Sequence, residues 1–303
     1  MRPIVPLLAA FAVLVPAALP AQTPPPAGHE EHAHEAMAHD SSGRVEVPRD
    51  PHLPAAEEAA KAALDASPRH GEYVDVPVGP GHVPIRTWIV YPERRDQAGV
   101  VLIVHEIYGL SDWIRAVADQ LASEGFIAVA PDLVSGLGPG GGGTDAAATR
   151  DDVVRLVRQL TPAETLLRLA AVRAWAVKLP ATNGRLATVG FCWGGGVSFA
   201  CATTRPAPAA CVVFYGVPPD SARLPDVAAP VLAHYGGDDA RVTATEAPTQ
   251  AALSRLGRAY EPHVYEGAGH GFVRAQSLRD GANLRATRQA WPRTLEFLRT
   301  YLK

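Results

Sequence analysis

The feature that most constrains this chain is the run Gly190-Phe191-Cys192-Trp193-Gly194-Gly195-Gly196. Residues 185–190 before it read as a short buried strand, and residues 196–202 after it read as a helix. A strand that turns sharply into a helix belongs to a layered α/β fold, and it holds the residue at the turn in a strained backbone conformation. Glycines two residues to either side leave room for neighbouring backbone. Cys192 should therefore stand exposed at a helix N-terminus, where unpaired N–H groups and the helix dipole favour a thiolate. A buried structural cysteine beside a glycine turn is the competing reading.

Downstream partners favour catalysis. Residues 230–235 have a strand pattern that leads into Gly236-Gly237-Asp238-Asp239-Ala240-Arg241-Val242, a turn that exposes carboxylates at a strand end. Asp239 is the chosen acid. Residues 260–265 read as another strand and end in Glu266-Gly267-Ala268-Gly269-His270-Gly271-Phe272. The order nucleophile, acid, histidine is that of a Cys-Asp-His triad on a strand-to-helix elbow: Asp239 orients and stabilises the ring, and His270 exchanges a proton with sulfur and leaving group. Taken singly, Asp239 also reads as a turn-forming residue and His270 as a solvated loop histidine.

The motifs at 190–195, 236–242 and 269–272 resemble those of the dienelactone hydrolase (carboxymethylenebutenolidase) family, within the α/β-hydrolase superfamily. So does His105-Glu106-Ile107-Tyr108-Gly109, which follows an apolar strand at 99–104. The resemblance runs from about Gly71 to the C-terminus. It implies an α/β-hydrolase fold, with a mostly parallel central sheet and helices on both faces, and a carboxylic ester or lactone hydrolase. It also implies that Glu106 sits beside the nucleophile and helps deprotonate the thiol when substrate binds. A carboxylate against a thiol disfavours double ionisation, so such a pair shares a proton; a plain turn cap is the alternative role for Glu106. The backbone N–H groups of Ile107 and Trp193 are then the oxyanion hole. Family members that take dienelactone bind its carboxylate with arginines. Arg274, four residues after His270, and Arg150, matched by helix register, stand at those positions, with Tyr108 as a further substrate-binding candidate.

Elsewhere the chain reads as an exported single-domain protein. Residues 1–21 carry one basic residue, a Pro-broken apolar core too short for a membrane span and a small-residue end, which together predict a signal peptide cut near Ala21 and a periplasmic or secreted protein. Residues 22–68 are rich in Pro, Ala, Glu and His and are expected to be a disordered linker, with a loose helix at 55–66. Within it His29, His32, His34 and His39 alternate with glutamates and are weak candidates for binding Zn²⁺ or Cu²⁺. The catalytic domain is expected over 69–303. Strands alternate with helical patterns at 112–124, 145–160, 163–177 and 284–302, the last interrupted by Pro292. The Gly-rich run 140–143 is expected to be a mobile loop over the pocket, and Cys201 and Cys211 a free buried pair.

The formal net charge of −3 gives no reason to expect nucleic acid. No cofactor and no metal site in the domain are implied. The expected partner is a small ester or lactone, the expected state a monomer or weak dimer without stable membrane insertion after signal cleavage. Two rival functions stay open: a non-catalytic exported binding protein that presents the His-rich arm, and a thioesterase or peptidase on the same triad.

Overall fold

The computed structural model describes Val47 and residues 49–303. The signal peptide at 1–21 and His29, His32, His34 and His39 lie outside the described residues. Eight strands form one sheet: β1 Gly71–Val76, β2 Ile85–Val90, β3 Ala98–Val104, β4 Ile127–Pro131, β5 Thr182–Phe191, β6 Cys211–Phe214, β7 Val231–Gly236 and β8 Tyr260–Tyr265. Their order is β1-β2-β4-β3-β5-β6-β7-β8. β2 is antiparallel to both neighbours, and every pairing from β4 to β8 is parallel. β3, β5, β7 and β8 correspond to strands read from the sequence or lie within a few residues of them. The antiparallel pair at the edge is additional: polar residues such as Glu72, Asp75, Arg86 and Thr87 leave it no continuous apolar run.

Helices cover both faces because the parallel strands are apolar on both sides. In β3 all seven residues are buried, and alternate side chains divide between two cores. Val101 and Ile103 pack with Trp113, Val117 and Leu121 of α2 (Asp112–Ser123) and with Trp291 and Leu298 of α8 (Ala282–Leu302). Val100, Leu102 and Val104 pack with Leu169 and Val172 of α4 (Pro162–Ala176), Phe199 of α5 (Trp193–Cys201) and Leu253 of α7 (Glu246–Arg255). α8 runs unbroken through Pro292, so this proline is not a helix boundary. The 145–160 pattern condenses to α3, Arg150–Val157, which starts at a Thr149–Asp152 capping box. Among the described residues no helix is long and apolar enough to cross a membrane.

Two expectations need correction. The domain does not begin near 69. Residues from Pro51 onward pack on it: a 3₁₀ turn at Glu57–Ala59 leads into α1 (Ala60–Asp65), which lies on α2. Leu53, Ala55, Ala56 and Ala60 are buried. Side-chain amides and an indole hold the segment by its carbonyls: Gln120 Nε2 donates to Pro51 O at 2.9 Å, Gln276 Nε2 to Pro54 O at 2.8 Å and Trp113 Nε1 to Ala55 O at 3.1 Å. Backbone acceptors carry no sequence signature, which is why composition alone reads this stretch as linker. The Gly-rich run is likewise tied down. Thr144 donates from its N and Oγ1 to Asp132 and accepts from Leu110 N at 3.0 Å, so the loop closes on the β4 end.

Candidate active site

β5 ends at Phe191 and α5 begins at Trp193, so Cys192 is the single residue of the turn. It has φ 56° and ψ −118°, a conformation that costs a non-glycine residue about 1–3 kcal/mol and persists only where the surroundings impose it. They do so through close backbone approach. A Cβ on Gly190 would lie 1.9 Å from Gly194 O, and one on Gly194 would lie 2.3 Å from both Val104 O and His105 O. Cys192 N donates to Phe214 O at 3.0 Å, while its carbonyl accepts from Gly195 N and Gly196 N and opens the helix. Cys201 and Cys211 are free and buried, behind the elbow.

The other candidates come from the C-terminal ends of neighbouring strands, where an α/β sheet gathers its ligand-binding loops. Glu106, Ile107 and Tyr108 follow β3, Asp239 follows β7 and His270 follows β8. Glu106, Ile107, Tyr108, Cys192, Trp193, His270 and Arg274 line one cavity of about 450 Å³. Asp239 stands behind His270, with its Oδ2 2.5 Å from Nδ1. That contact engages Nδ1 and leaves Nε2 as the ring nitrogen able to exchange a proton in the cavity. A second cavity of about 500 Å³ shares Cys192, Trp193 and Val217 and is lined by Leu160, Leu166, Val197 and Ala200. Cys192 thus stands where two spaces meet, one lined by Glu106, Arg241, His270 and Arg274 and the other largely aliphatic but also lined by Asp220 and Arg223.

Electrostatics couple the thiol to Glu106. Burial, and then the neighbouring Glu106 charge, push the Cys192 thiol up to about 11, partly offset by the Trp193 N–H. Burial also pushes the Glu106 carboxyl up to about 7, against the pull of Arg274. Arg274 Nε lies 2.9 Å from Glu106 Oε2, an ion pair without the alignment of a hydrogen bond. Arg150 does not line the cavity beside the sulfur. It lies 3.8 Å over the Tyr108 ring centroid, and its Nη2 is 2.6 Å from Glu57 Oε1.

Three residues that the motifs left unassigned belong to the site. His105 is fully buried. Leu133 N donates to its Nε2 at 3.2 Å, so Nδ1 carries the proton and donates to Glu106 O at 2.7 Å, and the ring stacks on Trp193. It positions both turns that carry the oxyanion candidates, and its place directly before Glu106 was the available signal. Tyr215 lines the cavity at φ 43°, its buried hydroxyl has no partner among the described residues, and its ring is 5.1 Å from that of His270. Glu57 pairs with Arg274 as well as Arg150. Among the described residues no cluster of three or more His, Cys, Asp or Glu could hold a metal ion.

The profile of the dienelactone hydrolase family matches residues 85–302, most of the chain. The chain belongs to the dienelactone hydrolase family. A carboxymethylenebutenolidase from a Pseudomonas species is 33% identical over 214 residues, covering 68% of this chain and 86% of the relative. The carboxymethylenebutenolidase of Pseudomonas putida is 30% identical over 204 residues, covering 66% and 85%. The crystal structure of a dienelactone hydrolase from Anabaena variabilis superposes with a TM-score of 0.58 at 24% identity, over 78% of this chain and 99% of that one, and shares its fold. Dienelactone-hydrolase membership makes this chain a hydrolase on an α/β-hydrolase scaffold.

Proposed function

We propose that this chain is an exported hydrolase of small esters or lactones that works through the thiol of Cys192, with His270 as proton carrier, Asp239 as its orienting acid and Glu106 as an auxiliary carboxylate that controls when the thiol ionises. The carrying observation is the strained Cys192 at the elbow, facing the same cavity as a histidine whose far nitrogen is held by a carboxylate. A merely structural cysteine needs neither partner nor strain.

The reaction runs in two halves. The Cys192 thiol gives its proton to His270 Nε2 as sulfur attacks the carbonyl carbon, and the carbonyl electron pair moves onto oxygen. The N–H groups of Ile107 and Trp193 receive that oxyanion; Ile107 N–H has no acceptor among the described residues, and each such donor is worth about 3 kcal/mol in a transition state. Collapse breaks the C–O bond, and the leaving alkoxide takes the proton from His270. Water, deprotonated by His270, then attacks the thioester and releases the acid and the thiol. Glu106 governs when this begins. While it is ionised the thiol is held protonated; once it takes a proton or turns away, the thiolate forms at lower cost.

Residues 1–21 support export, and with it a reason for a thiol kept protonated at rest, since a standing thiolate is the oxidisable form. N-terminal sequencing of periplasmic protein beginning near residue 22 is the expected result. Turnover of p-nitrophenyl acetate, a lactone and an acyl thioester by the full chain and by Cys192→Ala, under reducing conditions, tests the chemistry. Loss of activity by about three orders of magnitude or more in the variant supports the thiol mechanism. Undiminished activity refutes it.

A further inference from the structure

We propose that Glu57 is a specificity-determining residue: it fills the position of a substrate carboxylate and turns this site toward uncharged esters and lactones. The inference rests on the hydrolase reading above for the word substrate, and on geometry for the rest. Glu57 places one carboxylate oxygen on each of the two arginines that the family resemblance assigns to substrate, Oε1 on Arg150 Nη2 at 2.6 Å and Oε2 on Arg274 Nη1. One carboxylate bridging two guanidinium groups is the arrangement an anionic substrate would make there.

Glu57 is built into place. Its backbone N donates to Arg274 O at 2.9 Å, so main chain and side chain both engage the same arginine. The segment before it is fixed by the three carbonyl contacts from Gln120, Gln276 and Trp113 and by burial of Leu53, and α1 follows directly. A segment held at so many points is part of the domain. The local charges also balance: Arg150 and Arg274 face Glu57 and Glu106, so a further carboxylate would enter beside two existing ones and find no unpaired guanidinium in the pair. The second cavity beside Cys192 has aliphatic walls at Leu160, Leu166, Val197 and Val217, with Asp220 and Arg223 also lining it, and offers space for a hydrocarbon group. Arg241 is the other cation lining the polar cavity and is exposed, which makes it the competing anion site.

The full chain, Glu57→Gln, Glu57→Ala and Arg241→Ala are compared, each checked for folding by thermal unfolding. Glu57→Gln keeps the shape of the side chain, so it decides the matter even where the alanine variant is unstable. Calorimetric titration with benzoate, a carboxylate the enzyme cannot hydrolyse, is expected to show affinity rising on the order of tenfold in both Glu57 variants. The ratio of kcat/KM for a lactone bearing a free carboxylate to that for its methyl ester is expected to rise by a similar factor. Unchanged benzoate affinity and an unchanged ratio overturn the proposal, as does wild-type benzoate binding that Arg241→Ala abolishes and Glu57→Gln leaves alone. Failure of every form to hydrolyse either lactone sinks the hydrolase reading, while the benzoate titration still decides whether Glu57 occupies an anion site.

Discussion

At the scale of single residues the site is governed by two groups that cannot comfortably be charged together. Burial and the Glu106 charge hold the Cys192 thiol near 11, and burial holds Glu106 near 7. Glu106→Gln removes the charge and leaves the volume. The pH at which iodoacetamide alkylation of Cys192 reaches half its limiting rate is therefore expected to move down in that variant; an unmoved profile means that Glu106 does not act on the thiol. The same carboxyl makes a stability prediction. Its folded-state pKa is raised above the ordinary 4.5, so the folded protein holds this proton more tightly and loses stability as pH rises from about 4.5 through about 7. Glu106→Gln lacks that titration. Its melting temperature should match wild type near pH 4 and exceed it at pH 8, by up to roughly 3 kcal/mol in free energy; a variant less stable than wild type at pH 8 would contradict this. That Cys192, Asp239, His270 and Glu106 lie together was legible because each sits in a short motif at a strand end. Glu57 was not, because its importance comes from two arginines about 93 and 217 positions away in the chain.

At the scale of elements the decisive unit is β5, the one-residue turn and α5. Gly194 lets α5 lie against the β3 end, with Val104 O and His105 O where a side chain would begin. Because those contacts are main chain, they cannot give way as a flexible side chain would. Gly194→Ala should displace α5 from the β3 turn, lower the melting temperature and reduce kcat far more than Gly257→Ala, where a φ of 63° strains alanine but the space around it is open. Equal effects of the two would mean that close approach at the elbow is unimportant. The strands β3 to β8 were readable as apolar runs, and α2 and α4 from their periodicity. The antiparallel strands were not. β1 is the sheet edge with exposed polar residues and β2 beside it carries exposed Arg86, whereas α1 lies within the helix read at 55–66 and only its packing was missed, because the segment before it is anchored by backbone carbonyls.

For the whole molecule, the parallel order from β4 to β8 brings the ends of β3, β5, β7 and β8 to one side, so residues far apart in the chain meet there, as Glu106, Cys192 and His270 do. The fold class was legible because strand and helix patterns alternate along the chain and because the elbow fixes their relation. The N-terminal boundary was misplaced for the opposite reason: composition describes a segment by itself, whereas residues 51–66 take their order from the surface they cover. That surface carries Arg274, so the packing of the segment and the charge of the site are one feature of the molecule. The central claim is that this assembly forms a thioester on Cys192. Acid-quenched intact mass spectrometry during p-nitrophenyl acetate turnover, followed by peptide mapping, tests it directly. The account predicts a hydroxylamine-labile acetyl adduct on the peptide containing Cys192, absent in Cys192→Ala. Steady turnover with the adduct on another residue, or undiminished turnover by Cys192→Ala, would contradict it.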